Sequence, residues 1–208
     1  MKTNKEKRLP DVKADTVVRF VGDVAVSVAI VLGAAALVYA VLGAWPPVVV
    51  PEGGSMEPGI TTGSVIFVSG PSGLVTDASA GHHGVITHEQ GKKMEYRTFG
   101  DYGDVIIYRP GGDEGRSIIH RAMFYVKEGE TYEMGGVTKT APYDGFVTKG
   151  DANSYYDQER GISVVKPGWV EGKAKYEVIG DASSKLASVL SSSGGFGTWL
   201  RIEEGVLR

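Results

Sequence analysis

Ser117-Ile118-Ile119-His120-Arg121-Ala122-Met123-Phe124-Tyr125-Val126 is the stretch on which the fold turns. It is rich in β-branched and aromatic residues and free of Gly and Pro, which suits a pleated strand. With a period of two, Ile118, His120, Ala122, Phe124 and Val126 share one face, and Ile119, Arg121, Met123 and Tyr125 the other. A histidine therefore falls within an apolar stripe. Such a side chain is ordinarily a core residue satisfied by a carbonyl. An imidazole, titrating near 6.5 when free, becomes a competent base once a hydroxyl lies within reach.

The same signature recurs on both sides of this strand. Val48-Val49-Val50, Ser64 to Val68, Asp104 to Tyr108, Gly145 to Thr148 and Lys173 to Ile179 are short β-prone runs between Gly, Pro, Asp or Asn. Glycine accounts for 30 of 208 residues, about twice its usual share of roughly 7%, as many tight turns require. No β–α–β alternation is visible, so the expected fold is mainly β, an antiparallel sheet. Ser69 to Gly103, rich in Gly, Ser, His and Lys, reads as an insertion between core strands. Within it His82, His83, His88 and Glu89 mimic a metal cluster but lack the helical spacing of one, and read with Lys92 and Lys93 as a solvated loop. Asp181 to Arg208 is a tail of changed composition, with a short helix expected over Ser183 to Leu190.

Upstream, Val24 to Trp45 carries no charged residue. At about 1.5 Å per residue it spans the roughly 30 Å hydrocarbon core of a bilayer. Lys2, Lys5, Lys7, Arg8, Lys13 and Arg19 precede it, and no Lys or Arg follows until Lys92. That asymmetry places residues 1–23 in the cytoplasm and residues 46–180 outside, with Trp45 as an interfacial aromatic. A cleavable signal peptide is the competing reading, with Ala40 and Ala44 as a small-residue cleavage site. The apolar run exceeds the usual h-region of about 7–15 residues, which favours a retained anchor. The formal net charge of −3 shows no basic surplus for nucleic acid. The absence of cysteine excludes thiol catalysis, a disulfide framework and cysteine-ligated zinc.

Pro46, Pro47 and Pro51 stop the helix, and Gly54-Ser55-Met56-Glu57-Pro58 follows about ten residues beyond the anchor, within roughly 30 Å of it. A serine in a Gly-flanked turn is usually turn chemistry. Met56, apolar in a polar turn, sets this one apart. Farther on, Lys149-Gly150-Asp151-Ala152-Asn153 and Asp157 form an aspartate-bearing loop. Asx turns would explain one of the two aspartates, and a hard cation would need more oxygen ligands than the loop offers. Serine, histidine and aspartate are also the nucleophile, base and orienter of a hydroxyl-based hydrolase.

Together these stretches resemble type I signal peptidases of the archaeal and endoplasmic-reticulum branch, over Val48 to about Tyr176. Gly54-Ser55-Met56-Glu57-Pro58-Gly59-Ile60 with Gly63 resembles the family's nucleophile box. Gly103 to Pro110 and Ile118 to Ala122 resemble its middle boxes, and Thr148 to Asn153 with Asp157 its last. The resemblance implies a signal-peptidase-like β domain behind one transmembrane helix. It implies a serine endopeptidase that removes signal peptides from exported preproteins, with the lipid bilayer and preproteins as its partners and no cofactor or metal. Ser55 would be the nucleophile, His120 the general base where the bacterial branch has lysine, and Asp157 the acidic partner. Asp151, Met56 and Gly54 would support them. The family usually has serine where Gly53 stands, so the backbone N–H of Ser55 would carry more of the oxyanion's stabilisation. Ser64 and Ala152 replace a usual aspartate and asparagine, outside the triad.

A histidine base implies a rate that falls below about pH 6–7, whereas a lysine base would lose rate from well above neutrality. Two other classes share these residues: a membrane-anchored binding module that kept the fold without catalysis, and a processing protease for other membrane or surface proteins. A metal hydrolase is a more distant reading.

Overall fold

The computed structural model describes residues 14–70, 79–112, 116–178 and 201–202. The chain divides into two units, Met1–Val38 and Tyr39–Arg208. Helix α1, Ala14–Leu42, covers 29 residues. Within Asp15–Leu42 an 18-residue window reaches a mean hydropathy of 2.5, so this helix is long and apolar enough to cross a membrane. It starts ten residues before the uncharged run, taking in Asp15, Arg19 and Asp23. It also stops short of Trp45: Gly43 adopts φ 65°, a left-handed conformation that costs glycine little, and its N–H closes on the Tyr39 carbonyl at 2.7 Å. The basic residues before Ala14 and the helix expected over Ser183 to Leu190 lie outside the described residues.

In the second unit the anticipated strands appear as β1 (Val48–Pro51) and β2 (Val65–Ser69). Helix α2 (His88–Met94) follows, then a short hairpin of β3 (Arg97–Thr98) and β4 (Asp101–Tyr102). Next come β5 (Val105–Tyr108) and β6 (Ile118–Val126). A second hairpin, β7 (Thr131–Met134) and β8 (Val137–Thr140), precedes β9 (Gly145–Lys149). β10 (Val170–Val178) and β11 (Arg201–Ile202) complete the order. Seven of these form one sheet in the order β11-β1-β2-β10-β5-β6-β9. Every pairing in it is antiparallel except that of β11, which runs parallel to β1.

This sheet cannot be flat. β1 and β6 are four strand spacings apart in that order, about 19 Å across a flat sheet. Yet Val49 of β1 and Ile119 of β6 belong to one buried cluster with Met56, Ile60, Ile66, Val68, Val105, Ile107 and Ala174. The turn that begins four residues beyond β1 also reaches β6, the Ser55 hydroxyl lying 2.9 Å from His120, so the sheet curls until its β1 end faces β6. A second cluster, built on Ile106, Tyr108, Ile118, Ala122 and Phe146, packs on the opposite face.

The strict alternation expected along β6 holds only to Ala122. A bulge between Ala122 and Phe124 shifts the register against β9. Beyond it Tyr125 joins the side of Ile118 and Ala122, while Phe124 and Val126 pack in a third cluster with Met134, Val147 and Val164. An extra residue in one strand moves every later side chain to the other face.

The stretch before β5 is more deeply engaged than an inserted loop. Val85, Ile86 and Thr87 are buried, and buried Asp104 accepts bonds from the Ile86 N–H at 2.8 Å and the Tyr96 hydroxyl at 2.9 Å. Lys173 of β10 lies 3.2 Å from the same carboxylate, compensating a charge that burial would otherwise penalise.

Candidate active site

Ser55 sits in a tight turn that follows β1, closed by the Glu57 N–H on the Gly54 carbonyl (3.0 Å) and the Ile60 N–H on the Met56 carbonyl (2.9 Å). Met56, 1% exposed, is the turn's anchor in the first core cluster, which explains an apolar residue in polar company. Gly54 supplies the carbonyl for the turn, and the nearest group a side chain there would meet is the Glu57 carboxylate, at ordinary contact distance.

The curl of the sheet brings this turn to His120. The Ser55 Oγ lies 2.9 Å from His120 Nε2, and His120 Nδ1 lies 2.7 Å from Asp157 Oδ2. The three residues are 65 and 37 positions apart in sequence along these two bonds. All are nearly buried, with Ser55 at 6% the most exposed and His120 and Asp157 at 3% each.

Asp157 begins a short 3-10 turn, Asp157–Arg160. Burial by itself raises its carboxyl pKa, but the hydrogen bond and charge of His120, with hydroxyl bonds from Thr148 and Tyr108, outweigh that and hold it below the ordinary carboxylate value. Thr148 Oγ1 donates at 2.6 Å and the Tyr108 hydroxyl at 2.8 Å, both to the oxygen that also faces His120. Burial and the neighbouring carboxylate keep the Tyr108 phenol far above its usual pKa, so it stays a donor. An ionised Asp157 accepts only. Nδ1 of His120 must then carry its proton, which leaves the Nε2 lone pair facing Ser55.

Asp151 serves a different purpose. It takes a two-pronged ion pair from Arg121, Nε to Oδ1 at 2.8 Å and Nη2 to Oδ2 at 2.6 Å. The other Arg121 nitrogen donates to the carbonyls of Thr98 (3.1 Å), Tyr102 (3.1 Å) and Gly103 (3.0 Å). This guanidinium is fully buried, and it fastens the 98–103 hairpin to the loop after β9. That loop in turn grips the Ser55 turn, the Ala152 N–H donating to the Ser55 carbonyl at 2.8 Å.

Arg121, Tyr108, Thr148 and Gly150 are the site's contributors that sequence reasoning did not single out. Arg121 fell on the face opposite His120, and a charge there reads as solvent-facing unless a partner is known. Gly150 is the tightest of them. A Cβ on it would meet the Ser55 carbonyl oxygen at 2.7 Å, Asn153 Nδ2 at 2.7 Å and His120 Nε2 at 2.9 Å. Gly150→Ala is therefore expected to push the imidazole off Ser55 and lower any turnover through this pair by about 10²-fold, the usual cost of a displacement near 1 Å. Steady-state rates beside a thermal unfolding curve check it: a rate within twofold of wild type would show that the loop gives way instead.

His82, His83 and His88 do not converge. His82 stacks on Tyr125 with centroids 4.2 Å apart, His83 Nε2 reaches the Tyr125 hydroxyl at 3.2 Å, and His88 packs edge-on to Tyr102. Lys92 and Lys93 are exposed on α2. Among the described residues no three His, Asp or Glu side chains come together as metal ligands. No protein-family model matches the chain, and no curated protein matches it either.

Proposed function

We propose that this chain is a membrane-anchored serine endopeptidase, and that its substrates are signal-peptide-bearing preproteins. The observation that carries the reading is the continuous hydrogen-bonded chain from Ser55 through His120 to an ionised Asp157. Those are the nucleophile, base and orienter of acyl-transfer chemistry, in the geometry such catalysis needs.

In this mechanism Ser55 Oγ attacks the scissile carbonyl carbon as its proton passes to His120 Nε2. The proton then goes to the departing amine, leaving the substrate's acyl group on Ser55. Water, deprotonated by the same nitrogen, releases it and restores the serine. Asp157 holds the imidazole in the required tautomer and stabilises it while charged. The Ser55 backbone N–H is the donor assigned to the oxyanion. On this reading α1 anchors the chain in the bilayer, with the N-terminus in the cytoplasm and the β domain outside, as the charge asymmetry around the apolar run favours. Small residues on the substrate side of the cut follow from the resemblance of the motifs.

The test is cleavage of a reporter preprotein by membranes carrying the chain, with the new N-terminus sequenced. A single cut after a small residue supports the reading. No cut on several preproteins would sink it in favour of a binding module, and inhibition by a chelator would point to metal chemistry instead.

A further inference from the structure

The seven-stranded sheet has two ends, and they are closed differently. At the β9 end Phe146 exchanges both backbone hydrogen bonds with Val165, each 2.8 Å, so that side is already paired. At the other end β1 leads directly into the Ser55 turn. Its backbone alternates: the Pro47 carbonyl accepts from the Val68 N–H and the Pro51 carbonyl from the Gly63 N–H. The intervening Val50 therefore turns its N–H and C=O away from β2. Among the described residues the partner on that side is β11, with Val50 opposite Arg201 and Pro51 opposite Ile202.

An unpaired strand edge beside a nucleophile is the natural binding line for an extended peptide, whose main chain supplies register. Here a two-residue piece of the same chain lies on it, parallel to β1 and heading the same way, towards Ser55. We infer that Arg201–Ile202 is a tethered competitor: it holds the β1 edge that an incoming extended substrate requires, and must leave before the substrate can seat. The inference rests on the peptidase reading for the identity of the substrate, but not for the competition itself.

Physical chemistry makes the device reversible. Two residue pairs give few hydrogen bonds, so the contact is weak by itself. What sustains it is the tether, which raises the local concentration of the segment to roughly the millimolar range. A free peptide then meets an edge open only part of the time, and its apparent affinity falls by that fraction. A preprotein held in the same bilayer is also locally concentrated and displaces the segment more easily than a dilute soluble peptide does.

The test uses the full chain in detergent micelles carrying Ser55→Ala, so that binding is read without cleavage. The probe is a fluorescent, extended Val/Thr/Ala peptide of about 12 residues, long enough to cover one strand and the turn beyond it. Two tail variants are compared with the intact tail: Ile202→Pro, which removes the N–H that the register sets against the Val50 carbonyl, and a chain ending at residue 198, which removes every group that could pair with Val50 from that side. Amide exchange at Val50 is followed in parallel. With the segment seated nine-tenths of the time, freeing it tightens probe binding about tenfold and speeds exchange at Val50. Unchanged exchange would show that the segment does not hold the edge. Faster exchange without tighter binding would show that it holds the edge but does not compete; either result overturns the inference. Tighter binding, combined with no cleavage by the Ser55-bearing chain, would leave the competition standing and remove the peptidase reading alone.

Discussion

Ser55→Ala is expected to lower the rate of preprotein cleavage by about 10⁶-fold, leaving the small residue of catalysis that binding and oxyanion stabilisation give without a nucleophile. The size follows from the hydroxyl's place in the site: it is the group that His120 Nε2 faces, 2.9 Å away, so the variant leaves that nitrogen without the alcohol it would activate. Folding should survive. The turn is held by backbone bonds, Glu57 N–H to the Gly54 carbonyl and Ala152 N–H to the Ser55 carbonyl, neither of which involves the hydroxyl. Removing one oxygen from a site still 6% exposed leaves little cavity, so the stability change should stay within about 1 kcal/mol. Cleavage assays with a thermal unfolding curve separate the two effects. If Ser55→Ala cuts as fast as wild type, Ser55 is not the nucleophile. If both proteins are inert towards several preproteins, a binding module is the better reading.

The parts of this protein that could be read from its sequence are those encoded by local rules. Strands β1, β2, β5, β6 and β9 are runs rich in β-branched and aromatic residues between turn residues, β10 is a more polar one, and each appears within a few residues of its expected place. Helix α2 is hard to read because it has only seven residues and a central glycine, although Thr87 and Gln90 form a capping box that is a recognised start signal. The hairpins β3–β4 and β7–β8 are equally hidden because their strands are only two to four residues long and largely polar, too short for a periodicity to stand out. The meeting of Ser55, His120 and Asp157 is of another kind. No periodicity encodes it, since it depends on a sheet curling through four strand spacings, and only the motif resemblance put the three side by side. That resemblance named Asp151, Met56 and Gly54 as supports, but neither the partner of Asp151 nor the donors to Asp157. The Thr148 and Tyr108 donors and the Arg121–Asp151 pair depend on which side chains are buried together, which spacing alone does not reveal.

Asp157→Asn is expected to cost about 10⁴-fold in kcat while leaving the protein folded, as loss of the orienting carboxylate does in this kind of constellation. Two causes act together. The oxygen facing His120 also receives Thr148 and Tyr108. An amide that turns its oxygen there keeps all three bonds but removes the charge that stabilises the imidazolium. An amide that turns its nitrogen there makes Nδ1 an acceptor, moves the ring proton to Nε2, and leaves Ser55 facing a donor that cannot take its proton. The same substitution reports on the carboxylate's stability role. Because the folded-state pKa of Asp157 lies below the ordinary value, the unfolded chain binds its proton first as the pH falls. Its contribution to stability is therefore complete above the ordinary aspartate value near 3.9, and is lost as the pH drops through the lower folded value. The amide in the variant does not titrate, so the difference in unfolding free energy between wild type and Asp157→Asn should shrink as the pH falls from about 3.9 through that lower value. A difference that grew instead would mean a folded carboxyl raised by burial and protonated more readily than in the unfolded chain. It would then hydrogen-bond to His120 as a neutral acid, and the tautomer that makes Nε2 a base would have no anion to hold it.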